Sequence, residues 1–218
     1  MPIIFQQTPS PQLQIAVWHI CEPLSFFEQQ VLSGKDIPHP QVKARHLAAR
    51  HLLTCLRPDV KLSSLVVNDA GKPLTADGAF DFSLSHCADF AAAIVSMAGP
   101  VGIDLEQPGD RIFRIRHKFL SDADQELLLK QGGLSQLQEG QEAARWLTRC
   151  WSAKESVYKW YGESGVDFRE HIRLEQIDRA AQTLRIAFTP TEQSLLLHYT
   201  AIQGMELTWV QPLVQPLG

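Results

Sequence analysis

Short strand-like runs separated by turn residues are the sequence feature that most limits how this chain can fold. Turn signals such as Asn68-Asp69-Ala70-Gly71 stand between the runs. In the first half the runs lie near residues 13–18, 65–67, 80–84, 90–96 and 101–105, and in the second half near 172–176, 183–188, 195–202 and 205–210. The pattern predicts several short strands in each half of the chain.

Helical periodicity alternates with these strands. Residues 41–56 follow Pro40 and place their apolar side chains on one side of a helix. A second helical pattern follows residue 106, and a capping-box-like start at Ser121 begins a third helix. The longest helix is expected at residues 142–161, where Gly162 ends it. Each half therefore reads as a helix followed by several strands.

This order of elements predicts an α+β fold with two similar subdomains. Residues 1–100 are expected to form the N-terminal subdomain and residues 101–218 the C-terminal one. Each subdomain would contain a small, mostly antiparallel sheet packed against helices. A chain of 218 residues is long enough to bury a sizeable core in either arrangement.

Composition narrows the class of protein. A hydrophobic fraction of 44% with 20% charged residues is typical of globular proteins, and a net charge of −4 argues against general binding of nucleic acid. The longest apolar stretch, near residues 90–95, is too short to span a membrane. A secretory signal begins with Lys or Arg residues, and neither occurs before Lys35, so such a signal is not expected. The four cysteines form no CxxC pair, which favours free thiols in a reducing cytoplasm.

The run Val101-Gly102-Ile103-Asp104-Leu105-Glu106 carries two carboxylates inside a strand-like segment. Because successive side chains of a strand alternate between its two faces, Asp104 and Glu106 are predicted to share one face. A half-buried strand with a solvated side explains this pattern, and so does a site for a hard cation. The choice between the two depends on other parts of the chain.

The longest predicted helix carries the stretch Trp151-Ser152-Ala153-Lys154-Glu155-Ser156-Val157-Tyr158-Lys159. Glu155 and Lys159 are four residues apart and share a polar face with Ser152, so their head groups can meet, although a surface ion pair has the same spacing. Lys154 falls within the apolar stripe, where it must either reach solvent or meet an anion. That stripe is expected to bury Leu147, Cys150, Trp151, Tyr158 and Tyr161.

Three further motifs are polar or basic. Gly71-Lys72-Pro73 predicts a tight basic turn, and Phe82-Ser83-Leu84-Ser85-His86 ends a strand in a serine and a histidine. Arg50 lies on the first long helix, where a solvated role is common. A hydroxyl, an imidazole and the backbone groups at a strand end suit phosphate oxygens, but a serine and a histidine in a turn are common, and each motif alone is a weak signal.

The motifs acquire more meaning from their order. AARHLL, GKP, FSLSH, GIDLE and WSAKESVYK, taken together, resemble the Sfp-type 4'-phosphopantetheinyl transferases over about residues 45–160. The resemblance implies that the phosphopantetheine arm of coenzyme A is transferred to a serine hydroxyl of an apo acyl, peptidyl or aryl carrier protein, with release of 3',5'-ADP. It also implies a monomer whose subdomains are related by a pseudo-two-fold axis, with the active site at their interface.

The same resemblance implies roles for individual residues. Asp104, Glu106 and Glu155 match the ligands of one Mg2+ ion, and Lys159 matches the lysine held against the reacting phosphates. The serine proton would pass to Glu155, or to a metal-bound water oriented by Glu106. The residues that match positions contacting or flanking coenzyme A are Arg50, Gly71, Lys72, Pro73, Ser85, His86 and Lys159.

Two departures from the family pattern stand out. Cys87 follows Ser85-His86 where the family more often has serine or threonine. Residues 26–39 contain a single lysine where several members place a basic cluster near the 3'-phosphate of coenzyme A, so Arg45 or His46 is expected to compensate.

The stretch at residues 110–118 is locally basic within an acidic protein. It reads either as a solvated helix face or as a docking site for an acidic carrier protein.

Two other functions remain compatible with parts of the pattern. Three carboxylates and a lysine also suit an Mg2+-dependent pyrophosphatase or nucleotide hydrolase, but that function leaves the GKP turn and the Ser-His strand end unexplained. A catalytically silent coenzyme A-binding module could share the scaffold, although a silent site would be expected to have lost at least one of these charged residues.

Overall fold

The structure is a computed structural model that describes residues 2–31 and 36–211. These residues form an α+β protein of antiparallel sheets and helices, which confirms the predicted fold class. The elements, in chain order, are β1 (Ile3–Ser10), β2 (Leu13–His19), α1 (Leu24–Gln30), α2 (Pro40–Leu56), β3 (Leu65–Val67), β4 (Pro73–Thr75), β5 (Asp81–Cys87), β6 (Phe90–Ser96), β7 (Gly102–Glu106), α3 (Arg111–Ile115), α4 (Asp122–Lys130), α5 (Gln141–Tyr161), β8 (Ile172–Asp178), β9 (Thr183–Phe188), β10 (Gln193–Ile202) and β11 (Met205–Val210).

The first sheet has the strand order β1-β2-β6-β5, and all of its neighbouring strands are antiparallel. One face packs against α1 and α2 around Phe27, Leu47, Leu52 and Phe82, which are almost fully buried. Strands β3 and β4 form a separate two-stranded hairpin beside this sheet.

The second sheet has the strand order β7-β11-β10-β9-β8 and is also antiparallel throughout. Helix α5 lies over β7 and β11, while α4 packs against β8. The core beneath these helices includes Leu147, Val157, Ile186 and Leu197. The longest helix is thereby placed directly over the strand that carries Asp104 and Glu106.

A third apolar cluster joins the two sheets. Ile15 and Ile94 come from the first sheet, and Ile103 and Leu207 come from the second. Because Ile103 and its neighbour Leu105 face this cluster, the intervening Asp104 must point to the other side of β7.

Serine side chains join the facing edges of the two sheets. The backbone N–H groups of Ile103 and Leu105 in β7 donate hydrogen bonds to Ser83 Oγ and Ser85 Oγ in β5, both over 3.2 Å. Hydroxyl groups here take the place of a backbone ladder between β5 and β7. The FSLSH motif is therefore part of the framework that holds the GIDLE strand in place.

The nine strands predicted from the sequence are all present, with ends shifted by a few residues. The sequence patterns missed α1, β4 and the opening strand β1. Strand β1 lacks alternation of apolar and polar residues because it is an edge strand, and its Pro9 is tolerated there.

The predicted buried stripe of α5 is only partly correct. Leu147 and Cys150 are buried, but Trp151, Tyr158 and Tyr161 remain partly exposed. The reason is that α5 is packed on more than one side, so that eleven of its residues are buried, including several small polar ones.

Lys154 meets an anion, one of the two outcomes that the sequence allowed. Its Nζ donates to Asp124 Oδ2 over 2.8 Å and to the carbonyl oxygens of Phe119 and Phe168.

All four cysteines are free thiols, as expected. The division into two subdomains at residue 100 and the pseudo-two-fold relation between them stay predictions.

Candidate active site

Strand β7 presents both of its acidic side chains to α5. Lys159 Nζ donates to Asp104 Oδ1 over 2.6 Å, and Trp151 Nε1 donates to Glu106 Oε1 over 3.3 Å. Since Lys159 and Trp151 both belong to α5, Asp104 and Glu106 share the face of β7 that the helix covers. The prediction from the alternation of side chains is confirmed.

Asp104 is buried, with 4% of its surface exposed, and its two oxygens have different surroundings. Oδ1 accepts hydrogen bonds from Lys159 Nζ and, over 2.8 Å, from Ser85 Oγ. Oδ2 is buried and has no hydrogen-bond partner among the described residues. An ionised oxygen in that position is costly unless a cation or a donor reaches it.

Glu155 lies among these charges. The pKa of its carboxyl group is raised to about 7: burial is the largest cause, the negative charges of Asp104 and Glu106 add to it, and Lys159 opposes the increase. The carboxyl group is therefore close enough to both acids of β7 to be influenced by each. The sequence-based grouping of Asp104, Glu106, Glu155 and Lys159 corresponds to one electrostatically coupled cluster.

The carboxylates do not form a finished metal centre as they stand. Within residues 2–31 and 36–211, no three or more His, Cys, Asp or Glu side chains converge into a group able to hold a metal ion. The donor chemistry nevertheless suits a hard divalent cation, because the three acids are oxygen ligands and Asp104 Oδ2 lacks a partner. A cation would also relieve the repulsion that raises the pKa of Glu155.

Glu106 has two neighbours whose contact with it was not predicted. Besides Trp151, Cys87 Sγ donates to Glu106 Oε2 over 3.6 Å. Burial raises the pKa of Glu106, and the charge of Asp104 adds to that increase. Cys87 and Trp151 thus hold the carboxylate between β5 and α5. No local pattern reveals these contacts, since they join residues far apart in the sequence.

The hydroxyl group of Ser85 makes three hydrogen bonds within the protein. Its Oγ donates to Asp104 Oδ1 and accepts from the Leu105 N–H and from Lys159 Nζ, the latter over 3.0 Å. A serine hydroxyl has one proton and two lone pairs, so these three bonds use its whole capacity. The position next to a pyrophosphate that the resemblance implies for Ser85 would therefore involve its backbone rather than its hydroxyl.

The GKP turn is attached to the carboxyl end of α5. Lys72 Nζ donates to the Trp160 carbonyl over 3.2 Å, and Asn68 Nδ2 donates to the Gly162 carbonyl over 2.7 Å. Gly71 adopts a φ of 85°, a left-handed conformation that glycine accepts without strain. Lys72, which the resemblance places at the phosphates of coenzyme A, thus also donates to one of the free carbonyl groups at the end of the helix.

A small, largely apolar cavity of about 200 Å3 opens between this turn and α5. The predicted residues Gly71, Lys72, Pro73 and Lys159 all line it. The other lining residues, for which no contact with coenzyme A was predicted, are Ala70, Phe82, Ser83, Leu84, Tyr158 and Gly162.

A group of basic side chains lies beside the cluster of acids. Partial desolvation lowers the pKa of His86, and the positive charges of Arg45, Lys159 and Arg50 lower it further. Arg50 Nη1 lies 3.2 Å from His46 Nδ1, and burial lowers the pKa of Arg50. Arg45 is one of the two residues expected to replace the missing N-terminal basic cluster, and its positive charge is close enough to His86 to lower the pKa of the imidazole.

The basic stretch at residues 110–118 is shorter as a helix than predicted. Helix α3 covers five residues, and a 3-10 turn follows at Arg116–Lys118. Arg114 and Lys118 are exposed, but the guanidinium of Arg116 donates to the Phe113 carbonyl over 2.8 Å.

No helix of the described residues is long and apolar enough to cross a membrane.

Comparison with known proteins identifies a family to which half of the chain is similar. The family model described as "4'-phosphopantetheinyl transferase superfamily" matches residues 100–210, which include β7, α5 and the whole second sheet. That span is half of the chain and contains Asp104, Glu106, Glu155 and Lys159.

Two curated relatives match a partly overlapping region. The 4'-phosphopantetheinyl transferase AcpT of Salmonella typhimurium is 35% identical over 126 residues, which are 56% of this chain and 60% of the relative. The enterobactin synthase component D of Salmonella austin is 31% identical over 157 residues, which are 71% of this chain and 59% of the relative. The chain thus spans about 60% of the length of each of these relatives. On the evidence of the family model and of the site, the chain belongs to the 4'-phosphopantetheinyl transferase superfamily.

Proposed function

We propose that this protein transfers the 4'-phosphopantetheine arm of coenzyme A to a serine hydroxyl of an apo carrier protein and releases 3',5'-ADP. The observation that carries the proposal is the pairing of Lys159 with Asp104, at 2.6 Å, next to the raised pKa of Glu155. Membership of the superfamily and the names of the two relatives support the same reaction.

The cavity beside the GKP turn is the proposed site for the adenine of coenzyme A. Phe82, Leu84 and Tyr158 supply apolar walls that suit a flat base. Gly71 allows the turn to approach the base closely because it has no side chain. Lys72 and Lys159 line the same cavity and bring positive charge to the phosphates that follow the adenosine.

The basic group around His86 is the proposed site for phosphate oxygens. The positive charges of Arg45, Arg50 and Lys159 all lower the pKa of His86, so three cations act on the same part of the molecule. An arginine can hold a phosphate through two parallel hydrogen bonds. We assign the 3'-phosphate to Arg45 together with Arg50, in place of a basic cluster near the N-terminus.

Asp104, Glu106 and Glu155 are the residues that would hold a divalent cation, with Mg2+ as the expected ion. When bound, such an ion neutralises charge on the pyrophosphate as the bond to the leaving phosphate breaks. Lys159 contributes a positive charge to the same region from the helix side. Its hydrogen bonds to Asp104 and Ser85 hold the ammonium group in position before the substrate arrives.

The serine hydroxyl of the carrier must lose a proton as it attacks the β-phosphorus of coenzyme A. A general base is most effective when its pKa is near the working pH, and the pKa of Glu155 is raised to about 7. This supports Glu155 as the base. A water oriented by Glu106 is the alternative, with the proton leaving through that water instead.

The carrier is proposed to dock on α3 and the turn that follows it. A cavity of about 250 Å3 lies between Glu106 and Trp151 on one side and Arg111, Ile112 and Ile115 on the other. A carrier bound at α3 could therefore present its serine towards the acidic cluster. The exposed cations would attract an acidic partner, and the apolar side chains would fix its position.

The docking proposal is tested by charge reversal. Arg114→Glu combined with Lys118→Glu should raise the KM for the carrier and leave the KM for coenzyme A unchanged. Arg116 is a poorer probe, because its guanidinium also caps a carbonyl of α3. Exposed Lys130, which lies on α4, provides the matched reversal that should change neither constant. Unchanged constants for the double variant would place the dock elsewhere.

The function itself is tested by incubating the protein with coenzyme A, Mg2+ and a panel of apo carriers, and then measuring the mass of each carrier. A gain of one phosphopantetheine by at least one carrier is expected. Release of phosphate or nucleotide without any gain would instead indicate an Mg2+-dependent pyrophosphatase or hydrolase. Binding of coenzyme A with neither product would indicate a catalytically silent module.

A further inference from the structure

Three hydroxyl groups form a closed cluster between α5 and β11. Thr208 Oγ1 lies 3.0 Å from Ser152 Oγ and 2.8 Å from Ser156 Oγ, and Ser156 Oγ also donates to the Thr208 carbonyl over 3.0 Å. All three residues have no exposed surface. Ser152 was predicted to share a polar face with Glu155 and Lys159, and its hydroxyl group contacts Thr208 of the second sheet.

The hydroxyl cluster is adjacent to the acidic cluster on the same two strands. In the pairing of β11 with β7, Thr208 stands directly opposite Asp104. Side chains of directly opposed residues lie on the same face of a sheet, so Thr208 and Asp104 both face α5. On the helix, Ser152 and Ser156 flank Glu155, and Lys159 follows one turn later. The hydroxyl bonds therefore fix α5 beside the point where Lys159 reaches Asp104.

The helix is also unusually close to the strand at this level. A Cβ atom added to Gly102 would lie 1.9 Å from the Ser156 carbonyl oxygen and 2.7 Å from the Trp160 nitrogen. Backbone contact of this kind sets the distance between α5 and β7. It leaves the rotation of the helix about its axis and its shift along the axis to be set by other contacts.

Directional hydrogen bonds are suited to setting that rotation and shift. Small apolar residues would fill the same space, but they would accept a range of helix positions equally well. Each hydroxyl bond requires a particular distance and angle, and a fully satisfied buried network specifies one arrangement. A displacement of about 1 Å in a catalytic group can reduce a rate by about 100-fold.

We infer that Thr208 is a positioning residue, which acts through Ser152 and Ser156 to hold Glu155 and Lys159 of α5 against Asp104. The inference rests on the proposed function for its effect on rate. Its structural part concerns only the relation between α5 and β7. Thr208 has no exposed surface with which to contact coenzyme A or the carrier, so its loss should affect turnover and cation binding more than the KM for either substrate.

The test compares Thr208→Val, which keeps the shape and removes the hydroxyl, with Thr208→Ser, which keeps the hydroxyl. Thr208→Val should lower kcat at least tenfold with little change in either KM, and it should weaken Mg2+ binding several-fold in calorimetric titration. Thr208→Ser should restore both values to within about twofold. The matched control is Ser96→Ala, which also removes a fully buried hydroxyl, one that accepts the Ala98 N–H at 3.0 Å in the first sheet.

Ser96→Ala should lower the melting temperature without changing kcat or Mg2+ affinity. Equal Mg2+ affinity and equal kcat in wild type and Thr208→Val overturn the inference, as does a Thr208→Ser variant as impaired as Thr208→Val. If Thr208→Val does not fold, Ser152→Ala removes one of the two contacts and is expected to show a smaller loss of the same kind. A wild type that transfers nothing refutes the proposed function, while the Mg2+ titrations still decide whether the hydroxyl cluster positions the acids.

Discussion

Lys159 Nζ contacts both Asp104 Oδ1, at 2.6 Å, and Ser85 Oγ, at 3.0 Å, so that one ammonium group joins α5 to β7 and β5. Asp104 Oδ2 accepts nothing from the described residues, and the pKa of Glu155 is raised to about 7 by burial and by the charges of Asp104 and Glu106. The cluster thus carries more buried negative charge than its own lysine neutralises. That excess is the physical basis for expecting a cation at this site.

Replacing Asp104 by asparagine should reduce transfer by at least 100-fold while the protein stays folded. The change removes the charge that pairs with Lys159 and would bind the cation, but it keeps the shape of the side chain. Activity and the melting temperature are measured together. Asp59→Asn removes an acid from an exposed pair with Arg57 and should leave transfer unchanged. Near-normal transfer by Asp104→Asn would refute its role.

The rate should fall at acidic pH because Glu155 becomes protonated. Its folded-state pKa is raised to about 7, so below that pH the group loses the charge needed to accept a proton or to bind a cation. kcat/KM is expected to decrease about tenfold per pH unit below about pH 7 at limiting Mg2+, and high Mg2+ should shift the decrease to lower pH. A profile that is flat down to pH 5 would contradict this role for Glu155.

The same shift makes Glu155 costly for stability. The folded pKa lies above the unfolded value, so the folded protein binds the proton more tightly, and stability is lost as the pH rises from about 4.5 to about 7. Glu155→Gln should therefore be more stable than wild type at pH 8 without divalent ions, by about 1–3 kcal/mol. Denaturant unfolding at pH 8 and pH 4 measures this. If the free energies of unfolding of the two proteins differ by the same amount at both pH values, ionisation of Glu155 does not destabilise the folded protein.

Gly102→Ala should destabilise the protein through the contact of β7 with α5. The new methyl group would lie 1.9 Å from the Ser156 carbonyl oxygen, so the helix would have to move away. Overpacking of this kind costs about 1–3 kcal/mol or more, and displacement of α5 should also reduce transfer. Gly109→Ala is the control, because nothing lies within 4 Å of its added Cβ atom. Unfolding curves that coincide for Gly102→Ala and wild type would disprove the close approach.

The buried pair of Lys154 and Asp124 should respond unequally to removal of either partner. Asp124→Asn leaves the Lys154 ammonium group buried with only carbonyl partners, and a loss of about 3–5 kcal/mol is expected. Lys154→Met keeps the volume and leaves Asp124 with the backbone N–H groups of Ser121 and Leu174, so it should cost less. Thermal and denaturant unfolding compare the two. A greater loss for Lys154→Met would reverse this ranking.

Local patterns in the sequence were sufficient for nine of the eleven strands that the structure describes and for the shared face of Asp104 and Glu106. Both follow from a period of two residues, which the chain displays directly. The spacing of Glu155 and Lys159 likewise follows from the helix period. Strand β1 was missed because its position at the sheet edge removes the need for alternation.

Contacts between distant residues could not be predicted in the same way. Trp151 donates to Glu106 across 45 positions, and Thr208 reaches Ser152 across 56. Nothing near Thr208 in the sequence distinguishes it from any other strand threonine. Its importance arises only from the register of β11 with β7 and from the placement of α5 above them.

The central claim is most directly tested by measuring both products in one reaction, with wild type and Glu155→Gln side by side. Wild type, coenzyme A, Mg2+ and a responsive apo carrier should give equal molar amounts of phosphopantetheinylated carrier and 3',5'-ADP, while Glu155→Gln gives neither at a comparable rate. Release of 3',5'-ADP without a gain in carrier mass, or equal transfer by Glu155→Gln, would contradict the assignment of this site to phosphopantetheine transfer.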